Sequence, residues 1–581
     1  MRAVLRLWEL PILLLALRAT VLLAQEEPRG QEKKNPAIRF VEHTVLQQDT
    51  MKVPAPSVQR PLPKFDLPEY VITGTAEIDL PKLDKIMVDE PPVLQQTVLG
   101  SSGNILRDRA TQELEMKSQT ENTQQRTRMY SGFVKAGIGT YFMPQAELQF
   151  GQSFPDFYYI LGGSYFLTKG YASNTDQSNG GGTVSGGTTL TSTISILQNA
   201  ALHGNAGYQS KSFRFYGSAS PDLQRTLSDF QLQAVAENQT LNSFPYSAGI
   251  SLENVNISDS SSSKSETQFH LNYQTRFPIA SLPITAAING MSATGGLGFL
   301  DLSAGSQRYW LNDLSLGGSL HFYWAKGMAG QDFVRLCPQI MAGYQVSSQH
   351  RVFVLYEQLV VPMTLASHLI TNRFLSAASI IKHETVTGAG ELGVESNWTE
   401  AVQSRVTINV KSVSDLPMFS DFSHQGIWML AYGRQTDLTN PGGSGRATIV
   451  TFCAEMVAKL NSNDYFASNM LLRSTRDSYL GGKIPYAPAL EAWCSAIHRF
   501  GTTIAVSADV RFTGERTTDL TGKDTLSISK YAVVDVSGEY TPFDFLRLTI
   551  GIKNLTDTRY ESWRGYREFP FTMQIDAQIK W

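Results

Sequence analysis

The sequence predicts an all-β protein, a transmembrane antiparallel barrel, on three observations. The closing stretch "FPFTMQIDAQIKW" sets Phe571, Met573, Ile575, Ala577, Ile579 and Trp581 against Thr572, Gln574, Asp576, Gln578 and Lys580. Successive strand side chains point to opposite faces, so these are one apolar and one polar face. Runs of roughly 8 to 12 residues with this texture recur from Tyr130 to the C-terminus. Their second face stays polar or charged in strand after strand, which suits a wet lumen and not a sandwich core.

Residues 1–24 read as a secretory signal. Arg2 and Arg6 precede an apolar run over 10–17, and the small Ala24 stands before "QEEPRG", although Arg18 and Leu22 are imperfect matches. The run is short for a helical span, which needs ~20 apolar residues. Residues 25–129 form a polar arm rich in proline, with "VPAPSVQRPLPKFDLPEY" and "DEPPVL". Proline at this density removes ladder donors and favours extended, solvated backbone, so the arm is expected to be periplasmic or lumenal, without a core of its own. Within it Glu69, Tyr70, Val71, Ile72 and Thr73 make a β-prone pentapeptide between Pro68 and Gly74. Such a segment can add an edge strand to a periplasmic protein partner; the plainer reading is a strand docked on its own barrel.

The barrel is expected over 130–581, from runs such as "GFVKAGIGTYF", "FYYILGGSYFL", "TLTSTISILQ", "LSLGGSLHFYWA", "TTIAVSADVRF" and "FLRLTIGIKNL". They suggest about 22 strands, within a range of 16 to 24. "KGYASNTDQSNGGGTVSGG" and "NISDSSSSKSE" read as surface loops, and "SFPDF" as a tight turn.

Composition excludes several classes. The chain has 581 residues, a formal charge of -3, 42% hydrophobic residues and a mean hydropathy of -0.17. No second apolar run of ~20 residues follows the first, so helical spans are excluded, while average hydropathy says nothing about a barrel whose faces cancel. A near-neutral chain without a basic stripe argues against a nucleic-acid partner. Cys337, Cys453 and Cys494 are too dispersed for a disulfide framework or metal-ligand spacing. His203, His270 and His321 lie on separate strand-like runs, and His383-Glu384 in a loop without a second ligand nearby. No G-x-S-x-G elbow or phosphate-cradling glycine loop appears. A hydrolase would need Ser, His and an acidic or amide partner converging across strands. The chain therefore reads as no enzyme and as needing no cofactor.

"IKNLTDTRYESWRGYREFP" resembles the penultimate-strand and closing-loop pattern of TonB-dependent outer-membrane receptors, with Asn554, Leu555, Thr556 and Asp557 as the family motif. "GGKIPYAPALEAW" and "NRFLSAASIIKHETVTGAGELGVESNW" resemble late and mid-barrel segments of that family. The terminal aromatic strand, with Phe571, Met573, Ile575, Ile579 and Trp581, resembles its signal for the barrel assembly machinery. The resemblance implies the outer membrane of a Gram-negative-type bacterium, contact with outer-membrane lipid, and solute uptake or passage. It also implies a periplasmic partner: a TonB-like protein, a separate plug or a lipoprotein. The family's plug signature, with its "ERIEVLRG"-like strand, has no counterpart ahead of the barrel, so the resemblance implies a plugless form and carries no argument for TonB coupling. Two further readings stand beside it: a membrane anchor that recruits periplasmic or surface partners, and an outer-membrane hydrolase.

Overall fold

In a bilayer every backbone donor and acceptor must find a partner within the protein, so alternating strands are stable there only as a closed sheet. The computed structural model has that form. Twenty-two antiparallel strands run in sequence order from Gly132–Gly139 to Thr572–Lys580, and the first pairs with the last. The structure describes residues 131–581 except 155, 191–196, 198, 239–243, 260–261, 280–281, 400, 422–424, 433–445, 478–481 and 519–526. The expected signal, the arm and Glu69 to Thr73 lie outside the described residues.

Connections at the two ends differ. At the end holding Ser131 and Trp581 they run from two residues (312–313) to eleven (190–200). At the other they include 362–383, 415–445, 514–530 and 554–571. Outer-membrane barrels carry short periplasmic turns and long outer loops, which makes the second end the outer one.

The alternation read from the last strand fixes its faces. Ile575 and Ile579 are 46% and 51% exposed, while Asp576 and Gln578 are 7% and 2% exposed. Phe571 lies just before the strand and is exposed, as is Trp581 after it; Met573 is half-buried. The same parity continues in Ile504–Thr513, where Ile504, Val506 and Val510 are exposed and Arg511 turns inward to Asp535 at 2.7 Å. The exposed apolar face is the lipid face. Ile575→Arg should therefore cost about 2–4 kcal/mol, whereas Gln574→Arg on the inner face should cost little. Folding yields of the two variants in lipid check this; equal losses would exclude the assigned register.

The seam is closed by backbone and by one polar cluster. Trp581 donates its N–H to the Gly132 carbonyl (3.0 Å) and accepts from the Gly132 N–H (3.2 Å), continuing the ladder onto the first strand. Asp576 accepts from Gln145 Nε2 (2.5 Å) and Gln574 Nε2 (3.1 Å) and faces Lys135 Nζ at 3.9 Å. Its carboxylate occupies the space above Gly137, directly across the seam.

Two stretches differ from the sequence reading. "NGGGTVSGG" is a strand within Gln177–Thr189, because pairing on both sides satisfies its backbone and spares it the usual cost of glycine. Gly181 there lies where a Cβ would come within 2.5 Å of the Tyr208 carbonyl oxygen. Most of "NISDSSSSKSE" belongs to the paired strands Tyr246–Asp259 and Ser262–Ile279, with Asp259 paired to Ser262. Thr189 of "TLTSTISILQ" closes the strand Gln177–Thr189, and most of the remainder lies outside the described residues.

Candidate functional site: the outer loop cap and the lumen beneath it

The long outer loops turn inward and pack on one another. The loop 362–383 carries a seven-residue helix, α1 (Leu365–Thr371), too short to show an apolar stripe in the sequence. Thr364 and Ser367 form a capping box at its start, each side chain accepting the other's backbone N–H. Glu266, on the barrel wall, accepts from the Leu365 and Ala366 N–H groups at 3.0 and 3.3 Å.

Further along, Arg225 from the wall holds Asp259 through two bonds (2.6 and 2.8 Å) and donates to the carbonyls of Arg373 and Leu375. At the loop's end His383 accepts the Met363 N–H at Nδ1 (3.0 Å) and points Nε2 at the carbonyls of Gly298 and Lys326, both 3.1 Å away. That pattern assigns the Nε2–H tautomer, and burial lowers the His383 pKa. Glu384, which the sequence placed in a loop with His383, begins the strand Glu384–Thr399 and is buried.

On this loop sits a cluster of aromatic rings drawn from several connections. Trp428 is fully buried; its N–H donates to Phe374 O (3.3 Å), and its carbonyl accepts from Ser376 N (2.7 Å). Its indole N–H donates to Tyr486 Oη at 3.0 Å. Tyr566, from the closing loop, stacks on Phe374 with ring centres 3.8 Å apart and donates its hydroxyl to Gly426 O at 2.8 Å. Tyr216 and Trp563 pack edge-on against Tyr566 and Trp428.

Three loops meet here with backbone against backbone. A Cβ on Gly426 (φ +75°) would lie 2.7 Å from Gly217 O, and one on Gly217 would lie 2.6 Å from Gly565 O. Only glycine permits such approaches, and only glycine takes φ near +75° without strain. The result is a cap with its own apolar core, laid against inward residues of the wall such as Ile257, Phe299 and Tyr323.

Below the cap the inner wall is polar, and many of its charges are paired. Arg405 donates to Glu391 (2.9 Å), Arg473 to Glu491 (3.3 Å) and Gln339 to Glu357 (3.1 Å), while Arg547 lies 2.9 Å from Glu539. Such a lining holds water without a strong net field. His203, His270 and His321 lie on inward positions, and no group of three or more metal-ligating side chains occurs among the described residues.

The motif Asn554 to Asp557 ties down the start of the closing loop. Asn554 (φ 49°) donates its N–H to Asp535 (2.8 Å) and its amide to the carbonyls of Thr558 and Phe569 (2.9 and 3.1 Å). Thr556 bonds Asn554 and Thr558, Asp557 accepts from the Phe571 N–H (2.9 Å), and Leu555 is exposed. The motif is thus a knot at the root of the loop that delivers Trp563 and Tyr566. Sequence reasoning did not single out Trp428, Phe374, Tyr566 or the three glycines; the available signal was "GIWMLAYG", an apolar run without alternation.

One cap residue responds to acid. His368 on α1 is buried, with Nε2 unpartnered and its ring edge-on to Phe419, and burial pulls its pKa down to about 4. An undocked loop would return it toward 6.5. Between those values the undocked state binds a proton that the docked state lacks, so docking weakens about tenfold per pH unit as pH falls below 6.5 and levels near pH 4. Tryptophan fluorescence against pH should show the transition, and His368→Gln should shrink it to the part due to His383; an unchanged curve would remove His368 from the effect.

No family model and no curated protein sequence matches the chain. Solved structures do. The ferric-catecholate import receptor Fiu of Escherichia coli K12, in its closed form, superposes with a TM-score of 0.58 at 12% identity, covering 78% of this chain and 82% of that one. The FrpB iron transporter of Neisseria meningitidis gives 0.60 at 10% identity over 78% and 81%, and the copper transporter OprC 0.58 at 13% over 78% and 80%. These are barrels of receptors and transporters. This chain shares their barrel fold. At these identities the likeness concerns the fold alone.

Proposed function

We propose that this outer-membrane barrel is a solute-uptake protein whose lumen is the passage, whose loop cap is the outer closure, and whose arm, 25–129, occupies the lumen. The observation that carries the reading is the cap: several loops build a buried aromatic core over a polar, charge-paired wall. A barrel serving only as an anchor has no use for a folded lid over a wet interior. The similar structures include receptors and transporters for ferric chelates, iron and copper, which supports a small chelate or ion as the solute.

The arm suits the lumen because its polar, proline-rich backbone can bond to water and to wall side chains. Glu69 to Thr73 then serves as the docking strand for a periplasmic partner, TonB-like or a lipoprotein. The strand from Phe571 to Trp581 serves as the recognition element for the assembly machinery. In planar bilayers, with the cap lifted by Gly426→Val, a chain lacking residues 25–126 behind an intact signal should fold and conduct better than the full chain carrying the same substitution. A folded deletion that conducts no better would show that the arm is no stopper and leave it the docking role alone.

A further inference from the structure

The convergence of side chains that the sequence lacks as a motif occurs in the lumen wall, at the edge of the cap. Ser319 and His321 stand two residues apart on Leu314–Lys326 and so share its inward face. Asp301 comes from the neighbouring strand Leu297–Leu311, paired opposite Tyr323. Ser319 Oγ lies 2.9 Å from His321 Nε2, and His321 Nδ1 lies 3.0 Å from Asp301 Oδ1. These are the contacts of a nucleophile, its base and the group that orients the base.

The neighbours suit those roles. Asp301 is only 7% exposed and also accepts from Asn289 Nδ2 at 3.4 Å. Its bond to Nδ1 fixes the proton there and leaves the Nε2 lone pair facing the Ser319 hydroxyl. The His321 ring lies flat against Tyr323, 5.5 Å between centres and 12° between planes, which sets its orientation. Directly across from Ser319 stands Gly305, where an added Cβ would come within 2.4 Å of Ser319 Cβ. Gly317 precedes Ser319 on the same face. Glycine at 305 is what lets Ser319 take this place, because Ser319 itself fills the space a side chain there would need. Ser319 Oγ also lies within donating distance of Gln339 Oε1 (3.0 Å), whose Nε2 donates to Glu357, so the hydroxyl proton turns from that oxygen to His321 Nε2 for attack.

We propose that Ser319, His321 and Asp301 form a hydrolytic triad that cleaves carboxylic esters small enough to enter the lumen. Ser319 Oγ attacks the carbonyl carbon as its proton passes to His321 Nε2. The bond to the alkoxide breaks, and that oxygen leaves as an alcohol with the proton from His321. Water, giving a proton to His321, then attacks the acyl-Ser319 ester; Ser319 recovers its proton and the acid departs. The sum is ester plus water to acid plus alcohol. This activity stands apart from uptake, which conductance tests separately.

The test uses the full chain in detergent micelles, with folding confirmed by heat-modifiable migration. A fluorophosphonate probe should label Ser319, located by peptide mass spectrometry, and p-nitrophenyl butyrate should be hydrolysed above the detergent blank. Ser319→Ala should abolish both, and His321→Gln should slow both by about 10²–10⁴-fold in a barrel that still folds. Folded native protein that neither labels at Ser319 nor outpaces Ser319→Ala would overturn the proposal. The three residues would then be a polar ladder stitching two strands, as would also follow if the variants lost only folding.

Discussion

Gly137→Val is expected to keep the barrel from closing, while Gly551→Val, two strands away, is expected to be tolerated. At Gly137 an added Cβ would fall 1.7 Å from Asp576 Oδ1 and 2.9 Å from Ile575 O. The carboxylate cannot simply swing aside, because Gln145, Gln574 and Lys135 hold it. Displacing it leaves buried charges at 135 and 576 without their partners. Overpacking and a broken buried pair together should cost about 3–5 kcal/mol, and the loss falls on the pairing that turns a sheet into a barrel. At Gly551, on the strand that pairs with the other side of Thr572–Lys580, a Cβ meets nothing within 4 Å. Valine also suits a strand better than glycine. The heat-modifiable fraction of each variant in membranes gives the comparison, and equal fractions would contradict this account of the seam.

The second large effect is expected at Gly426. Valine there must take a left-handed backbone, costing about 1–2 kcal/mol, and must also push its Cβ against the Gly217 carbonyl oxygen. Backbone cannot rotate away as a side chain can, so the loop should lift and take Trp428 with it. The Tyr566 hydroxyl would lose the Gly426 carbonyl, and Phe374 would lose its neighbours on that side. Undocking of about 3 kcal/mol is the expected sum, with the barrel beneath unaffected because the cap contributes no strand to the closed sheet.

The barrel was legible in the sequence because lipid outside and water inside impose one repeated rule on each strand. Ile504 to Arg511 and Phe571 to Trp581 obey it plainly, and the number of such runs sets the strand count. The rule fails where glycine and serine fill a strand, as in Gln177–Thr189, since side chains that neither bury nor repel leave no periodic signal. The cap was not legible for a different reason. Trp428, Phe374 and Tyr566 lie far apart in sequence and meet only through tertiary contact, and the loops that carry them have no period to read. The Asn554 motif was recognisable as a family resemblance, but its work, anchoring the closing loop to Asp535, required coordinates. In "SLH" the chain shows only Ser319 and His321 on one face of a strand; Asp301, on the neighbouring strand, gives the pair its third member.

The central claim is that folded loops close the outer mouth over a polar lumen, and Cys337 reports on it directly. This thiol is 2% exposed and belongs to the same buried cluster as Leu365, Phe374 and Trp428. With Cys453 and Cys494 replaced by serine, the rate of Cys337 alkylation by a small maleimide in the folded full chain measures how often the cap opens. The account predicts slow alkylation in the native background and a rate about 100-fold higher with Gly426→Val, as a loss of about 3 kcal/mol implies at tenfold per 1.4 kcal/mol. Native protein that alkylates as fast as the detergent-unfolded chain, or the same rate with Gly426→Val in a folded barrel, would contradict it.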